Sequence, residues 1–348
     1  MRLGRTFISP ALDVLLIGGA LSLPVALAAH VAGYRFDVVH LWQIVLLATY
    51  AHVAASLLRL YSSPGVARRR PVLSVGFPFA MALATGAVVL ASAQTADRLG
   101  GMYIMLSSYH YAAQAYGLAL MYVYRSGGSL SPREKRFIHL ACLATFFYSV
   151  LGPSSGLASI VPVSVYTTWP AVEVVRRGLR ALLLLALVGA PLSLAAYRQR
   201  RGQPLPMMSL VIIYTNALWW VLFVATEAFA WAALSHGVQY LAIAMVFHVK
   251  DAREKQPGRH GAFYFALTFY VACVALAYGL YYGLPALYAM TWWRFDHSAT
   301  SLRIALMLNV HHIVIDGFIW RRGAQATGAR VPAAVPAGRA GALSLAPT

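Results

Sequence analysis

Charge is scarce in this sequence, and negative charge scarcer still. Charged residues fill 11% of the 348 positions, with ten Asp and Glu against 28 Lys and Arg. A soluble domain carries about 25% charged residues, so a soluble enzyme or a solvated binding module is excluded. Cysteine is nearly missing too. Cys142 and Cys273 stand in separate apolar runs, which rules out a disulfide framework or a Cys-x-x-Cys metal motif. Both read as small buried hydrophobes. The net charge of +18 comes without any nucleic-acid-binding module, so nucleic acid is not an expected partner. The basic residues sit between apolar runs, where they orient spans and meet anionic lipid headgroups. No repeat of fixed period is visible, which counts against a transporter built from inverted repeats.

What is abundant is apolar sequence: 60% of residues are hydrophobic and the mean hydropathy is +0.65. A span needs roughly 20 apolar residues to cross a bilayer core. Runs near 11–33, 38–60, 72–95, 101–124, 136–153, 178–197, 207–226, 228–249, 261–285 and 300–320 meet or approach that length. The expectation is an all-α polytopic transmembrane bundle of about ten spans. Basic clusters such as Arg68-Arg69-Arg70, Arg133/Lys135/Arg136, Arg198/Arg200/Arg201 and Lys250/Arg253/Lys255 fall at alternate junctions. That asymmetry puts both termini in the cytoplasm and the protein in a bacterial inner membrane. Arg176, Arg177 and Arg180 then lie on the outer side, where they are expected to cap an interfacial stretch over 154–175.

Arg2 and Arg5 followed by an apolar run to Ala28 have the outline of a signal peptide. Asp13 interrupts that run, which is long, so it reads as an uncleaved first helix whose Asp13 pairs with a basic residue. Ser131-Pro132-Arg133-Glu134 reads as a capping box opening the fifth span. The seventh and eighth spans, joined tightly around Glu227, form a hairpin. Residues 1–322 make one helical domain. The Ala/Gly/Pro-rich stretch 323–348 is expected to be a disordered tail.

Polar residues inside the apolar runs carry the functional signal. Asn309, His312 and Asp316 share one face of the last span, and such a face cannot look at lipid. Three other spans carry a histidine near the middle: His52, His110 and His236. Each has a polar neighbour on its own face: Ser56, Gln114, and Gln239 with Tyr240. His110, His236 and His312 stand roughly 13–23 Å above the following basic residue at about 1.5 Å per residue, and His52 is at a similar height. Four imidazoles at one depth, with a carboxylate and carboxamides, suit the ligands and outer shell of a transition metal, iron being the foremost. His52, His110, His236 and His312 are the expected ligands, with Asp316 as ligand or orienting base. His311 joins the set if the site is broad, and otherwise faces a neighbouring helix. Gln114 and Gln239 are expected as outer-shell or substrate contacts. Tyr240 and Glu227 are candidate catalytic groups. Arg59 either reaches the surface or pairs with an acid such as Asp316. A proton relay in a transporter and a bis-histidine haem remain alternatives.

The ending His312-x-x-x-Asp316-x-x-Ile319-Trp320, with His110-Tyr111-x-x-Gln114 and His236-x-x-Gln239-Tyr240 upstream, resembles that of bacterial polytopic membrane proteins with intramembrane histidines. The layout of His52, His110, His236 and His312 on separate spans also resembles the Brp/Blh carotene-cleaving oxygenases. That resemblance implies iron, dioxygen and an apolar lipid or isoprenoid substrate. The dense His boxes of membrane fatty-acid desaturases and hydroxylases are missing, which sets that class aside.

Overall fold

A computed structural model describes residues 2–31, 44–61, 68, 71–152, 169–222, 225–291 and 297–319. The described residues are helical, with no strand among them. In chain order the helices are α1 (Pro10–Ile17), α2 (Ser22–Val31), α3 (Val45–Tyr61), α4 (Val72–Leu90), α5 (Ala93–Arg125), α6 (Pro132–Val150), α7 (Pro170–Arg200), α8 (Met207–Leu222), α9 (Ala225–Lys255), α10 (Ala262–Met290) and α11 (His297–Ile319).

Among the described residues, four helices are long and apolar enough to cross a membrane: α4, α7, α9 and α10. A bent pair, α1 with α2, makes a fifth if taken as one span. α5 and α11 are as long, but their polar residues dilute the apolar signal. α9 is the central element, with 61% of its apolar window buried, against 17% for α4 and 22% for both α7 and α10. The outer helices instead expose large apolar side chains, such as Phe79, Leu83, Leu182, Leu185, Phe263 and Val271. An apolar exterior of this extent suits hydrocarbon rather than water.

Several elements differ from their sequence expectation. The first span is a broken helix: α1 and α2 meet at 56°, across Gly18 and Gly19. Gly19 has φ +75°, a left-handed conformation open to glycine. Asp13 is fully buried, and among the described residues no basic side chain pairs with its carboxylate. Its oxygens accept the amides of Phe7 (2.6 Å), Ile8 (2.8 Å) and Ser9 (3.3 Å) and the hydroxyl of Tyr122 (2.6 Å). The carboxylate thus caps the N-terminal end of α1 and ties it to α5. The expected interfacial stretch is shorter than 154–175: α7 starts at Pro170, and residues 153–168 lie outside the described set. Arg176 donates twice to Glu173 and once to the Leu151 carbonyl, Arg177 also reaches Glu173, and Arg180 lies 4.2 Å over the Tyr148 ring. Arg176 and Arg180 thus tie α7 to the end of α6. Residues 320–348, including Trp320 and the expected tail, are outside the described set, as is His40.

Other expectations hold. The capping box at Ser131 and Glu134 is formed, with Pro132 in the first turn. Glu134 also accepts from the buried Arg198 at 2.7 Å, joining α6 to the end of α7. α8 and α9 do pack against each other, but α9 already begins at Ala225, so Glu227 lies in its first turn and not at the joint where it was expected.

Ahead of α1, residues 2–9 pack against the ends of α5 and α8. Met207 and Met208 amides donate to the Arg2 and Leu3 carbonyls. The Arg5 amide donates to Ser126 Oγ, and Arg125 Nε to the Thr6 carbonyl. Gly4, at φ +97°, fits where a Cβ would come within 2.7 Å of Ser126 Oγ and 2.8 Å of Pro206.

Two outcomes test this framework. Asp13→Ala strands three amides and a tyrosine hydroxyl, each costing about 1–3 kcal/mol. It is expected to lower the thermal-inactivation temperature in detergent clearly more than Asp13→Asn, which keeps one acceptor oxygen. Partial burial raises the Glu134 carboxyl, but bonds from Ser131 and the Arg198 guanidinium outweigh it and hold the group below its ordinary range. A depressed folded-state value means the pair stabilises above the ordinary carboxylate range and that this contribution is lost as pH falls through the folded value. Glu134→Gln is therefore expected to destabilise at neutral pH and to flatten the acid limb of a stability–pH curve.

Candidate metal centre

Each of the four mid-span histidines stands on its own helix: His52 on α3, His110 on α5, His236 on α9 and His312 on α11. Small residues bring these helices close. Ala51, Ala54 and Ala55 on α3 have no exposed surface, and Gly237 on α9 lies against the α3 backbone. A Cβ at Gly237 would stand 3.0 Å from the Ala48 carbonyl oxygen and 3.2 Å from His52 Nδ1. Close backbone approach through small residues is the usual packing solution where no hydrophobic force drives helices together. A π-helical turn over Val45–Tyr50 precedes His52 and re-phases the side chains beyond it.

The four rings converge. The His52 and His312 Nε2 atoms are 3.1 Å apart. Ring centroids lie 4.6 Å apart for His52–His312, 4.9 Å for His52–His236, 4.8 Å for His110–His236 and 5.1 Å for His110–His312. Asp316 completes the group, with Oδ2 at 3.6 Å from His312 Nε2 and 3.7 Å from His110 Nε2. All five side chains are buried. Tyr111 closes the side toward α8, its ring 4.5 Å from that of His236.

The donor set fits a metal ion. Donor atoms of His52, His236 and His312 lie within 4.8 Å of one another, and so do those of His110, His312 and Asp316. Two bonds of about 2.1 Å at a right or tetrahedral angle separate their nitrogens by about 3.0–3.4 Å. The 3.1 Å between His52 and His312 falls in that interval. Further, His110 Nε2 and both ring nitrogens of His236 are buried with no hydrogen-bond partner among the described residues. An orphaned buried polar atom costs about 1–3 kcal/mol, and a cation held by His110 Nε2 or by one nitrogen of His236 would offset that cost. A bis-histidine haem fits poorly. It needs its two nitrogens about 4 Å apart across a macrocycle, whereas His52 and His312 touch with two more imidazoles packed beside them.

Tyr240 and Ser56 form the floor of the site, both hydrogen-bonded to Asp316 Oδ1. Gln114 donates to the His236 carbonyl (3.3 Å) and to Gln239 Oε1 (3.4 Å). These amides thus brace α5 against α9 behind the histidines. Asn309 turns back to the Ala305 carbonyl of its own helix. Arg59 donates to the Ala244 carbonyl and lies over the Phe247 ring.

His311 is the correction to the expected ligand set. Its ring stacks on Phe77 of α4 at 5.1 Å and 8°, and it belongs to neither donor group. Adjacent positions on a helix are about 100° apart, so only one of the two neighbours can face the centre. The Glu227 side chain lies outside the described residues. The sequence reading gave Ser56 no role of its own and passed over Gly237. The i+4 spacing of Ser56 from His52 was the available signal for the first.

Gly237→Ala is expected to push α9 from α3 and displace His52 while leaving the helical content intact. The check is circular dichroism together with metal content, and only the metal content is expected to fall.

Comparison with protein-family models, with curated proteins and with solved structures returns no match.

Proposed function

We propose that this protein is a metal-dependent oxidoreductase of the bacterial inner membrane, oxygenase-like, acting on a lipid or isoprenoid substrate. About ten spans with both termini in the cytoplasm is the topology that the alternating basic clusters support. The observation that carries the reading is the set of orphaned ring nitrogens on His110 and His236, beside the His52–His312 contact. His52, His110, His236 and His312 would hold the ion, with Asp316 Oδ2 available as a further donor. Histidines with a carboxylate and open positions suit non-haem iron.

A bound iron ion would supply the activation of dioxygen. The chain's own residues do the rest. Burial of all five donors keeps bulk water from the centre. The exposed apolar faces of α4, α7 and α10 meet the acyl chains from which an apolar substrate would arrive. Asp316, held at Oδ1 by two hydroxyls, leaves Oδ2 beside the imidazoles as a further donor for a cation.

One observation favours a second reading, a proton-coupled transporter using the same polar cluster. The α1–α2 break lies against the cluster's flank, with a Cβ at Gly19 placed 2.8 Å from Gln239 Nε2 and 3.0 Å from Ser235 Oγ. Broken helices at mid-membrane polar sites are a transporter feature.

Elemental analysis after mild purification separates the two. The enzyme reading expects about one transition-metal ion per chain, with His312→Ala losing it and His311→Ala keeping it. Fewer than roughly 0.2 ions per chain, with pH-driven flux in proteoliposomes surviving single His→Gln changes, would establish the transporter instead.

A further inference from the structure

Ser56 touches two of the proposed donors at once. Its Oγ lies 3.0 Å from His312 Nδ1 and 2.7 Å from Asp316 Oδ1. It is also 2.7 Å from the Tyr240 hydroxyl, which is itself 2.9 Å from Asp316 Oδ1. A longer contact, 3.5 Å, runs to the His52 carbonyl of its own helix. The residue has no exposed surface, so no bulk water competes for these bonds.

Proton counting decides what the network does. Three oxygens lie within hydrogen-bond reach of one another, and two hydroxyl protons fill two of the three edges, Ser56 giving its own to Asp316 Oδ1 at 2.7 Å. The carboxylate accepts and brings none. With its proton so engaged, Ser56 has only a lone pair to offer His312, so Nδ1 carries the proton and donates. Nε2 of His312 is then a bare lone pair, directed at His52 and the centre. The same two hydroxyls claim Oδ1 of Asp316, which leaves Oδ2 turned toward His110 and His312.

We infer that Ser56, seconded by Tyr240, is the positioning residue of the centre: it fixes the tautomer of His312 and holds Asp316 with one oxygen tied back and one presented. Nothing in the composition requires a serine here, since α3 is otherwise alanine-rich around His52. The inference rests on the metal reading above. Outer-shell partners of this kind change metal affinity by about 10–100-fold when removed.

Cobalt(II) is the probe, titrated into full-length metal-free protein in detergent and followed by its visible absorption. Ser56→Ala is expected to weaken cobalt binding by about 10–100-fold and to shift the bands, because the ring and the carboxylate lose their common anchor. Tyr240→Phe is expected to weaken it less, Ser56 still holding both groups. Ser56→Thr, which keeps the hydroxyl, is expected to recover the wild-type spectrum. A purely structural role would leave the bands of folded Ser56→Ala protein in place. Unchanged affinity and unchanged bands in Ser56→Ala overturn this inference and leave the metal centre standing. Failure of the wild-type protein to bind cobalt overturns both. If Ser56→Ala does not fold, the band position in Tyr240→Phe decides, a spectrum identical to wild type going against the inference.

Discussion

Everything in this structure answers to the burial of five ionisable side chains in one chamber. His52, His110, His236, His312 and Asp316 are all below a tenth exposed, in a chain whose outer helices present apolar side chains. Such groups cannot be left to lipid. Four helices must therefore hold a fixed mutual register, or the imidazoles lose one another. α9 pays no side-chain volume at Gly237, α3 none beyond alanine at positions 51, 54 and 55, and the two backbones close to contact. Packing and chemistry are the same constraint seen twice: the small residues that admit the close approach are those that bring ring nitrogens together.

The hydroxyl and amide residues around the chamber act at two levels. Ser56 and Tyr240 touch the donors themselves, whereas Gln114 and Gln239 brace the backbone behind His236. Between them they satisfy the floor and one wall. Tyr111 also packs against His236, in one apolar cluster with the stacked Trp219 and Trp231.

The convergence of the four histidines was legible because it depended on depth, and depth follows from residue counts to the next basic cluster. What could not be read were matters of rotation and local backbone. His311 and His312 are neighbours, and only the placement of Phe77 shows which one faces α4. Asp13 looked like a shallow acid awaiting a base. Its partners turned out to be the amides of Phe7, Ile8 and Ser9, which every residue possesses and no sequence pattern marks. The break at Gly18–Gly19 sits in an apolar run with no proline at the bend, so hydropathy passes over it. The π-turn before His52 is likewise invisible to a 3.6-residue periodicity, although it sets the phase of the helix that carries His52.

The docking of residues 2–9 bears on the order of events during synthesis. The carbonyls of Arg2 and Leu3 find their donors at Met207 and Met208, and Arg5 finds Ser126. The Arg2 and Leu3 carbonyls thus lack these donors until Met207 and Met208 have been made. At about 5–20 residues per second that wait lasts on the order of 10 s or more. This segment is thus tied first to the end of α5 and only later to the start of α8, so its docking joins parts of the chain made far apart in time.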